Sequence, residues 1–443
     1  MLSAEAKGRT LARLAVSSIL MLVFGGIAVH AQERVLVNFP PEYSSPSESL
    51  VSDATGNLFG GIAGGTSSPD GAIFELSPTS TGARKAKLLV NFKGPNGNWP
   101  QTQMIFDGKG NLYGATYLGG NGSCTYAGKA AGCGLVFELS RNSSGIWSEK
   151  VLYQFQGGND GFLPYGNIAF DSAGNLYGTT QEAGGTGCFD SQGCGVVYQL
   201  KPSISGQWTE QILYRFTGGN DGSFPGGVAV SGSTVYGTTE QNGASGAGNV
   251  FSLKQSSGAW NFSIVYSFPG GTAGGNPNAA VTVDSSGNIY GSAVADGQYG
   301  WGNVFKLTPS SSGWTETVLY NFTGGSDGAS AVAPPILDSA GNLYGTTFTG
   351  GEILECGWQN PDDGCGVVFK LTPPAAQGNP WTETVLHEFS FNGTDGVLPF
   401  YTGVVFGKGG LLYGVTAEGG TGQCIYPPLG TNVGCGTVYA VKP

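Results

Sequence analysis

The chain has 443 residues, of which 79 are glycine, 12% are aromatic and only 11% are charged. Low charge with abundant aromatic residues excludes intrinsic disorder, which requires the opposite balance, and is typical of many short strands joined by glycine-rich turns. The formal net charge of −11 and the lack of a basic stripe exclude nucleic acid and anionic membrane surfaces as partners.

The amino-terminal segment has the three parts of a secretory signal peptide. Basic residues come first, the apolar stretch Leu14–Ala28 follows, and Val29-His30-Ala31 offers small residues for cleavage. The alternative is a membrane anchor, but about fifteen apolar residues are short for a span, and no later stretch is apolar enough to cross a bilayer. We therefore expect cleavage near Ala31, a secreted, periplasmic or extracellular protein, and a single domain over residues 32–443.

One ten-residue segment recurs through the chain and defines seven repeat units. It reads Asp-Ser-Ala-Gly-Asn-Leu-Tyr-Gly-Thr-Thr at Asp338–Thr347, and six other copies are Asp53–Ile62, Asp107–Thr116, Asp171–Thr180, Ser231–Thr239, Asp284–Ala293 and Gly407–Thr416. Apolar alternating residues precede most copies, which predicts a first and a second strand joined by a tight turn. The aspartate accepts backbone hydrogen bonds there and the glycine supplies positive φ. A calcium loop is a poor alternative, because the alternating oxygen ligands of such loops are missing.

Each unit adds a third and a fourth strand. The third has the form Gly-x-Val-Phe-x-Leu, as at Gly366–Leu371, and the fourth ends in Val-Leu-Tyr-x-Phe or a variant, as at Phe322. Five fourth strands carry a tryptophan eight residues before that phenylalanine: Trp147, Trp208, Trp260, Trp314 and Trp381. Even spacing keeps both residues on one face of a strand, which predicts packing. Stacking platforms for a ligand are the alternative.

The seventh unit lacks a fourth strand at the carboxyl end, and a matching strand stands at the amino end. The sequence ends at Pro443, directly after the seventh third strand, and a strand of the fourth type stands near the other end at Val35–Phe39. A ring explains this split, because the amino-terminal strand would complete the last sheet and cover its exposed edge. We therefore predict an all-β fold, a seven-bladed β-propeller of four-stranded antiparallel blades closed by the amino-terminal strand. Units of about 59 residues are too long for single coils of a β-helix.

These motifs resemble a known family. Asp-x-x-Gly-Asn-Leu-Tyr-Gly-Thr-Thr, Gly-x-Val-Phe-x-Leu and Trp-Thr-Glu-Thr-Val-Leu-Tyr-x-Phe are similar to the Gloeo/Verruco (GloVer) tandem repeat of exported bacterial proteins. The resemblance covers essentially all of residues 32–443 and implies export and tandem repetition, but no reaction and no catalytic residues. Members are often anchored to the cell surface at the carboxyl end, and the present sequence shows no such anchor.

The eight cysteines occur in pairs, always between the second and third strands. The pairs are Cys124 and Cys133, Cys188 and Cys194, Cys356 and Cys365, and Cys424 and Cys435. Their loops are long, whereas the same loops in the other three units are short and have no cysteine. The pattern predicts four local disulfides and an oxidising compartment. Zinc is the alternative, but the cysteine spacings are irregular and the loops contain no histidine.

In an up-and-down blade the cysteine loops share one face with the links between units, and we call this the loop face. It collects four aspartates of glycine-rich links: Asp160, Asp221, Asp327 and Asp395. Turn capping is their first interpretation, and a structural calcium ion is the second. The face also collects aromatic residues outside the periodic pattern: Trp99, Tyr126, Phe189, Trp301, Trp358 and Tyr426. Loop packing and stacking against a ligand are both open interpretations of these residues.

Catalysis has little support in the sequence. The one histidine after the signal segment, His387, occupies a strand position that is tyrosine in four other units, so we expect neither a histidine-based triad nor a histidine metal centre. An enzyme would have to use carboxylates or tyrosine, as glycosidases do, and the carboxylate candidates near the axis of the ring are Glu182, Glu240 and Glu418, which follow second strands.

Two functions follow from these patterns. The first is an exported, non-catalytic binding module, a monomer without a cofactor, whose loop face holds a glycan or a cell-surface protein. The alternative is a carbohydrate-active hydrolase or lyase with carboxylates near the axial channel.

Overall fold

The computed structural model describes residues 33–443 except 81–82, 186, 189–192, 352–355, 357–363, 377, 400–401 and 427–429. The predicted signal segment 1–31 lies outside the described residues. Within them the fold is all-β, with two single-turn 3₁₀ helices at Gly271–Ala273 and Lys408–Gly410.

The amino-terminal strand and the strands of units 1 to 3 are short, in keeping with the spacing of the turn residues. They are β1 Arg34–Asn38, β2 Ser44–Pro46, β3 Val51–Ser52, β4 Leu58–Gly64, β5 Ala72–Pro78, β6 Arg84–Asn91, β7 Asn98–Pro100, β8 Ile105–Phe106, β9 Leu112–Leu118, β10 Thr125–Tyr126, β11 Lys129–Ala130, β12 Leu135–Arg141, β13 Trp147–Gln154, β14 Phe162–Phe170, β15 Leu176–Glu182, β16 Val196–Pro202 and β17 Trp208–Arg215.

Units 4 to 7 continue the same succession. Their strands are β18 Ser223–Ser231, β19 Thr234–Gln241, β20 Asn249–Ser256, β21 Ala259–Ser267, β22 Thr282–Val283, β23 Ile289–Ala293, β24 Asn303–Ser310, β25 Gly313–Asn321, β26 Ile336–Leu337, β27 Leu343–Thr347, β28 Val367–Thr372, β29 Thr382–Glu388, β30 Gly396–Val397, β31 Val405–Phe406, β32 Leu412–Thr416, β33 Glu418–Gly419, β34 Ile425–Tyr426, β35 Thr431–Asn432 and β36 Thr437–Val441.

Consecutive strands of a unit lie side by side and pair antiparallel, as β22-β23-β24-β25 do in unit 5. Units 3 and 4 have the same order, and a parallel bridge between Asn167 and Gly227 joins them into one eight-stranded sheet. In unit 7 the order is β31-β32-β36-β1, with Val35 opposite Tyr439. The amino-terminal strand thus supplies the fourth strand of the last unit.

The turn between the first and second strands is held by its aspartate. In unit 6, Asp338 Oδ1 accepts backbone hydrogen bonds from Ala340 and Asn342 at 2.9 and 2.8 Å. Asp338 Oδ2 accepts hydrogen bonds from the Asn342 side chain and the Tyr344 hydroxyl at 2.8 and 3.1 Å. Burial raises the pKa of Asp338, but these hydrogen bonds outweigh it and hold the pKa below its usual value. The aspartate is therefore a turn residue, as the sequence predicts.

In every unit, the second and third strands meet where a glycine faces an aromatic ring. The pairs are Gly60 with Phe74, Gly114 with Phe137, Gly178 with Tyr198, Gly237 with Phe251, Gly291 with Phe305, Gly345 with Phe369 and Gly414 with Tyr439. The ring covers the glycine so closely that a Cβ built on Gly345 would lie 2.6 Å from Cζ of Phe369. Glycine is required here because any side chain would displace the ring.

Each of these rings also contacts the phenylalanine that follows the fourth strand of the preceding unit. Six such contacts run along the chain, with ring centroids 5.0–5.5 Å apart: Phe92–Phe137, Phe155–Tyr198, Phe216–Phe251, Phe268–Phe305, Phe322–Phe369 and Phe389–Tyr439. A seventh joins Phe39, directly after β1, to Phe74 of unit 1 at 5.4 Å. Because β1 belongs to the sheet of unit 7, this contact links the last unit to the first.

An aromatic ring of the preceding unit contacts four of the periodic tryptophans, and this ring is Phe59 for Trp147 and a tyrosine for Trp208, Trp260 and Trp314. Trp208 lies edge-on to Tyr113 with ring centroids 6.1 Å apart, and Trp260 to Tyr177 at 5.9 Å. In unit 1, Arg84 takes the place of the tryptophan, and its guanidinium lies 5.0 Å from the ring centre of Tyr413 in unit 7. This cation–π contact is a second link between the last unit and the first.

We predict that Gly345→Ala lowers the free energy of unfolding by about 1–3 kcal/mol, because the new Cβ would overpack the Phe369 ring. Urea unfolding of the two proteins measures the difference. Gly108→Ala is the matched control, since a Cβ built on this exposed turn glycine meets nothing within 4 Å. Equal stability of the Gly345→Ala and Gly108→Ala variants would contradict the packing role of Gly345.

Candidate functional site

The cysteine loops and the links between units lie against one another. The structure contains the four disulfides predicted from the sequence, with Cα atoms 5.0–5.1 Å apart. A Cβ built on Gly157 in the link after unit 2 would lie 2.6 Å from Sγ of Cys124. Gly218 in the next link has the same position beside Cys188 and Cys194. Loops and links therefore form one continuous surface, the loop face.

Two of the disulfide loops contain a small hairpin. Between Cys124 and Cys133, β10 pairs with β11, and the turn residues Ala127 and Gly128 both have positive φ, at 48° and 76°. Two such residues are the signature of a tight hairpin turn. The loop between Cys424 and Cys435 has an equivalent hairpin, β34 with β35. Disulfide and hairpin together restrict these loops, so a side chain on them needs little further ordering when it binds a ligand.

Tyr126 stands on the first of these hairpins and belongs to a group of three rings. Its ring centroid is 6.1 Å from that of Trp99 and 5.9 Å from that of Tyr117, and Trp99 and Tyr117 are 5.6 Å apart. Tyr126 is 38% exposed, whereas Tyr117 is buried. The Tyr117 hydroxyl donates a hydrogen bond to Oε1 of Gln181 in unit 3, at 3.1 Å. We call Trp99, Tyr117, Tyr126 and Gln181 the aromatic cluster.

Trp99 holds its place in this cluster through an unusual backbone. Its φ is 59°, a left-handed conformation that residues other than glycine adopt rarely. The same conformation recurs just before the first strand, or at its beginning, in every other unit: Ser45, Leu163, Phe224, Asn276, Ser330 and Leu398. The conformation is therefore a property of the repeat, and two units have an aromatic side chain at this point, Trp99 in unit 2 and Phe224 in unit 4.

The other predicted aromatic residues are not gathered at this cluster. Trp301 is 43% exposed, and its indole covers Gly324 in the link after unit 5. The equivalent link glycines Gly157 and Gly218 lie against a disulfide instead. Phe189 and Trp358 lie outside the described residues, and so does the side chain of Tyr426. Of the six aromatic candidates, the structure thus brings Trp99 and Tyr126 together.

The four link aspartates act as turn caps. Asp327 accepts hydrogen bonds from the Thr323 backbone at 2.8 Å and from the Tyr320 hydroxyl at 3.0 Å. Asp160 has the same pattern with Gln156 and Tyr153, and Asp221 has it with Thr217 and Tyr214. In unit 6, Asp395 accepts from Ser390, and His387 takes the place of the tyrosine. These contacts are the ones that the capping interpretation requires.

The three carboxylates of the enzyme hypothesis belong to three different units and do not form a cluster. Glu182, Glu240 and Glu418 stand at or just beyond the second strands of units 3, 4 and 7. Burial raises the pKa of Glu182 and of Glu240. Among the residues that the structure describes, one group of three ligating side chains has all its ligand atoms within 4.8 Å of one another, and it is Glu33, His387 and Asp395.

A small cavity lies where residues of units 1 to 6 meet, at or next to their first strands. Its volume is about 30 Å³, room for one or two water molecules. Glu48 lines it, is 2% exposed and accepts no hydrogen bond from the described residues, so burial raises its pKa well above the usual value. Glu48 is not among the residues predicted from the sequence. The available signal was a glutamate just before the turn at Asp53, where Glu48 lies between β2 and β3.

A larger groove lies on the outer surface between units 5 and 6. Its volume is about 880 Å³, and Tyr299, Lys306, Tyr320 and Trp381 are among the residues that line it. Tyr299 is 52% exposed. A groove of this volume can hold a small molecule. It could not be predicted from the sequence, because its residues come from two units.

A glutamate recurs six residues before the phenylalanine of the fourth strand, and it faces the preceding unit. The members are Glu33, Glu149, Glu210, Glu316 and Glu383, and in each of them Oε1 is buried without a hydrogen-bond partner among the described residues. Burial, followed by the nearby Asp160 carboxylate, raises the pKa of Glu210 to about 7, and Arg215 opposes this shift. Burial and Asp327 do the same for Glu383. At these two places, a glutamate of one unit therefore lies close to the link aspartate that precedes the unit.

The fold and the disulfides define an all-β tandem-repeat protein, and comparison with known families places it further. Residues 27–233 and 226–443 match the Gloeobacter/Verrucomicrobia repeat, so the chain belongs to this family. No curated protein matches the sequence. Four disulfides are typical of proteins that fold outside the reducing cytoplasm. In the described part of the chain, no helix is long and apolar enough to cross a membrane.

Several solved structures are similar in outline. A protein of unknown function from Dyadobacter fermentans DSM 18053 is 11% identical, with a TM-score of 0.43, over 93% of this chain and 98% of that one. A candidate 6-phosphogluconolactonase from Bacteroides uniformis ATCC 8492 is 15% identical, with a TM-score of 0.48, over 76% and 84%. A luciferin-regenerating enzyme is 14% identical, with a TM-score of 0.42, over 79% and 98%.

We predict that Glu210→Gln stabilises the protein at about pH 8 and has a smaller effect at about pH 5. A carboxyl group whose folded pKa is raised binds more protons in the folded state, so stability falls as pH rises from the unfolded pKa of about 4.5 to the folded value of about 7. Glutamine removes this titration. Melting temperatures across that range measure the effect, with Glu42→Gln, at an exposed glutamate, as the control. A Glu210→Gln difference that does not change with pH would contradict the assignment.

Proposed function

We propose that this protein is an exported, non-catalytic binding module that presents its loop face to a ligand. The observation that carries the proposal is the aromatic cluster, in which a disulfide and a hairpin hold the exposed ring of Tyr126 beside Trp99. Rigid aromatic side chains offer a large contact area at a low entropic cost of ordering. Export agrees with the four disulfides and with the signal segment expected from the sequence.

We further propose that the seven units form a closed seven-bladed β-propeller and that the protein is a monomer. The seven ring contacts between successive units support the closure, since the last of them joins Phe39 to Phe74. Hydrogen bonds near the first strands support it as well, because they connect neighbouring units in the same circular order. They run from Ser47 to Pro100, from Asn167 to Gln103, from Thr238 to Ala279, from Thr282 to Pro335, from Thr346 to Thr402 and from Gly403 to Ser49.

A glycan is the ligand class that fits the cluster best. Aromatic rings can cover the apolar face of a sugar, and a side-chain amide such as that of Gln181 can bond its hydroxyl groups. A cell-surface protein is the other candidate, because exposed tyrosine and tryptophan are also frequent anchors of protein interfaces.

The hydrolase or lyase alternative has no comparable support. Glu182, Glu240 and Glu418 do not cluster, and the cavity beside Glu48 holds about 30 Å³. Cavities that enclose small-molecule substrates are about 300–1,000 Å³, so a sugar ring does not fit there. The geometry therefore favours a surface that binds over a channel that cleaves.

A glycan array with the purified protein tests this function. We expect binding to at least one glycan class, and we expect Tyr126→Ala and Trp99→Ala each to weaken it about tenfold or more, as the loss of an anchoring ring does. Ile204→Ala, in the exposed turn at the other end of β16, is the control and should bind like the unchanged protein.

Two outcomes would count against the proposal. Absence of binding to any glycan would remove the sugar as ligand. Loss of binding in Tyr299→Ala with full binding in Tyr126→Ala would move the site from the loop face to the outer groove between units 5 and 6.

A further inference from the structure

Unit 6 differs from its neighbours at one side chain of the loop-face edge. Where three other units have a tyrosine that donates to the link aspartate, unit 6 has His387, whose Nε2 lies 3.1 Å from Oδ2 of Asp395. The side chains are 17% and 9% exposed. The substitution keeps the contact with the aspartate and replaces a phenol by an imidazole, which is a far better metal ligand.

A third ligand comes from the far end of the chain. Glu33, directly before β1, is the amino-terminal member of the recurring glutamates, and β1 lies in the sheet of unit 7. Its Oε1 is buried and accepts no hydrogen bond from the described residues. Ligand atoms of Glu33, His387 and Asp395 all lie within 4.8 Å of one another. An unpartnered carboxylate oxygen therefore stands next to an imidazole and a second carboxylate.

The surroundings hold the aspartate in place for such a role. The Ser390 backbone donates to Asp395 Oδ2 at 3.0 Å and the Gly396 backbone donates to Oδ1 at 2.8 Å. The Ser390 hydroxyl also donates to Oδ2, at 3.5 Å. Because a carboxylate has about four lone-pair positions, Oδ1 keeps capacity for a further partner. Hydrogen bonds of this kind orient the carboxylate ligands of metal sites.

We propose that Glu33, His387 and Asp395 bind one zinc ion, with a water molecule as the fourth ligand. One imidazole and two carboxylates suit zinc, whereas calcium prefers six to eight oxygen ligands. Two carboxylate charges balance the charge of the ion. Bonds of about 2.0–2.1 Å place tetrahedral ligands about 3.3 Å apart, so the three groups need to approach by about 1.5 Å at most. The ion would join the amino-terminal strand to unit 6.

Two other places in the chain have the same arrangement of a glutamate and an aspartate, with a tyrosine at the position of His387. Glu383 with Tyr320 and Asp327, and Glu210 with Tyr153 and Asp160, repeat the arrangement with tyrosine in place of histidine. His387→Tyr therefore converts the proposed site into a version that the fold already accommodates. The proposal also revises the expectation from the sequence, which was that His387 is a strand residue and not part of a histidine metal centre.

Calorimetric titration of the tag-free protein with zinc chloride, after dialysis against a chelator, tests the site. We expect one zinc ion per chain, a melting temperature that rises with zinc, and loss of both effects in His387→Tyr. Glu33→Gln, which leaves the His387–Asp395 pair in place, should weaken binding at least about tenfold. In chelator, the melting temperature of His387→Tyr should match that of the unchanged protein, and that of Glu33→Gln should be no lower, because this variant removes a buried carboxylate.

The titrations of the unchanged protein and of the two variants decide between the proposed site and other zinc sites. No zinc binding by the unchanged protein overturns the proposal, and so does binding of equal affinity in His387→Tyr or in Glu33→Gln. If His387→Tyr does not fold, the affinity of Glu33→Gln decides alone. Zinc that binds elsewhere on this acidic chain would persist in both variants and would count against the site.

Discussion

The structure depends on a glycine in the second strand of each unit that lies under an aromatic ring of the third. Without a Cβ on the glycine, the ring rests on the sheet and presents itself to the phenylalanine of the preceding unit. Aromatic pairs of this kind contribute about 0.5–1.5 kcal/mol beyond the burial of their area. One motif therefore builds the sheet and connects it to the next sheet, and the same contact is made seven times.

The loops between the second and third strands differ from unit to unit in length and in cysteine content. Glycine-rich loops bury little apolar surface and are costly to order, and the units with long loops supply a disulfide to hold them. The links between units rest on the same disulfides, as Gly157 does on Cys124. Unit 5 has no disulfide, and there the indole of Trp301 covers Gly324 in the link to unit 6. The disulfides and the Trp301 indole thus hold the links of the loop face in place.

Features within one unit could be predicted from the sequence, and features between units could not. The Asp338 turn, the cysteine pairs and the pairing of β1 with the last sheet follow from residue types at short or regular spacing. The ring contacts of Tyr126 with Trp99 depend on how a loop and a link meet, which spacing does not specify. Glu33 could have been found by aligning it with Glu316 and Glu383. Its nearness to His387 could not, because it depends on how the last units meet in space.

The central proposal is that the units close into a ring, which requires the amino-terminal strand to be an integral part of the last sheet. Native-state hydrogen exchange tests it most directly, because amides in a frayed terminus open with little free energy, whereas those in a core strand approach the global free energy of unfolding. The account predicts that amides of Arg34–Asn38 are as strongly protected as those of the equivalent strand in unit 5, residues 317–321. Rapid exchange of Arg34–Asn38 beside a protected unit 5 would contradict it.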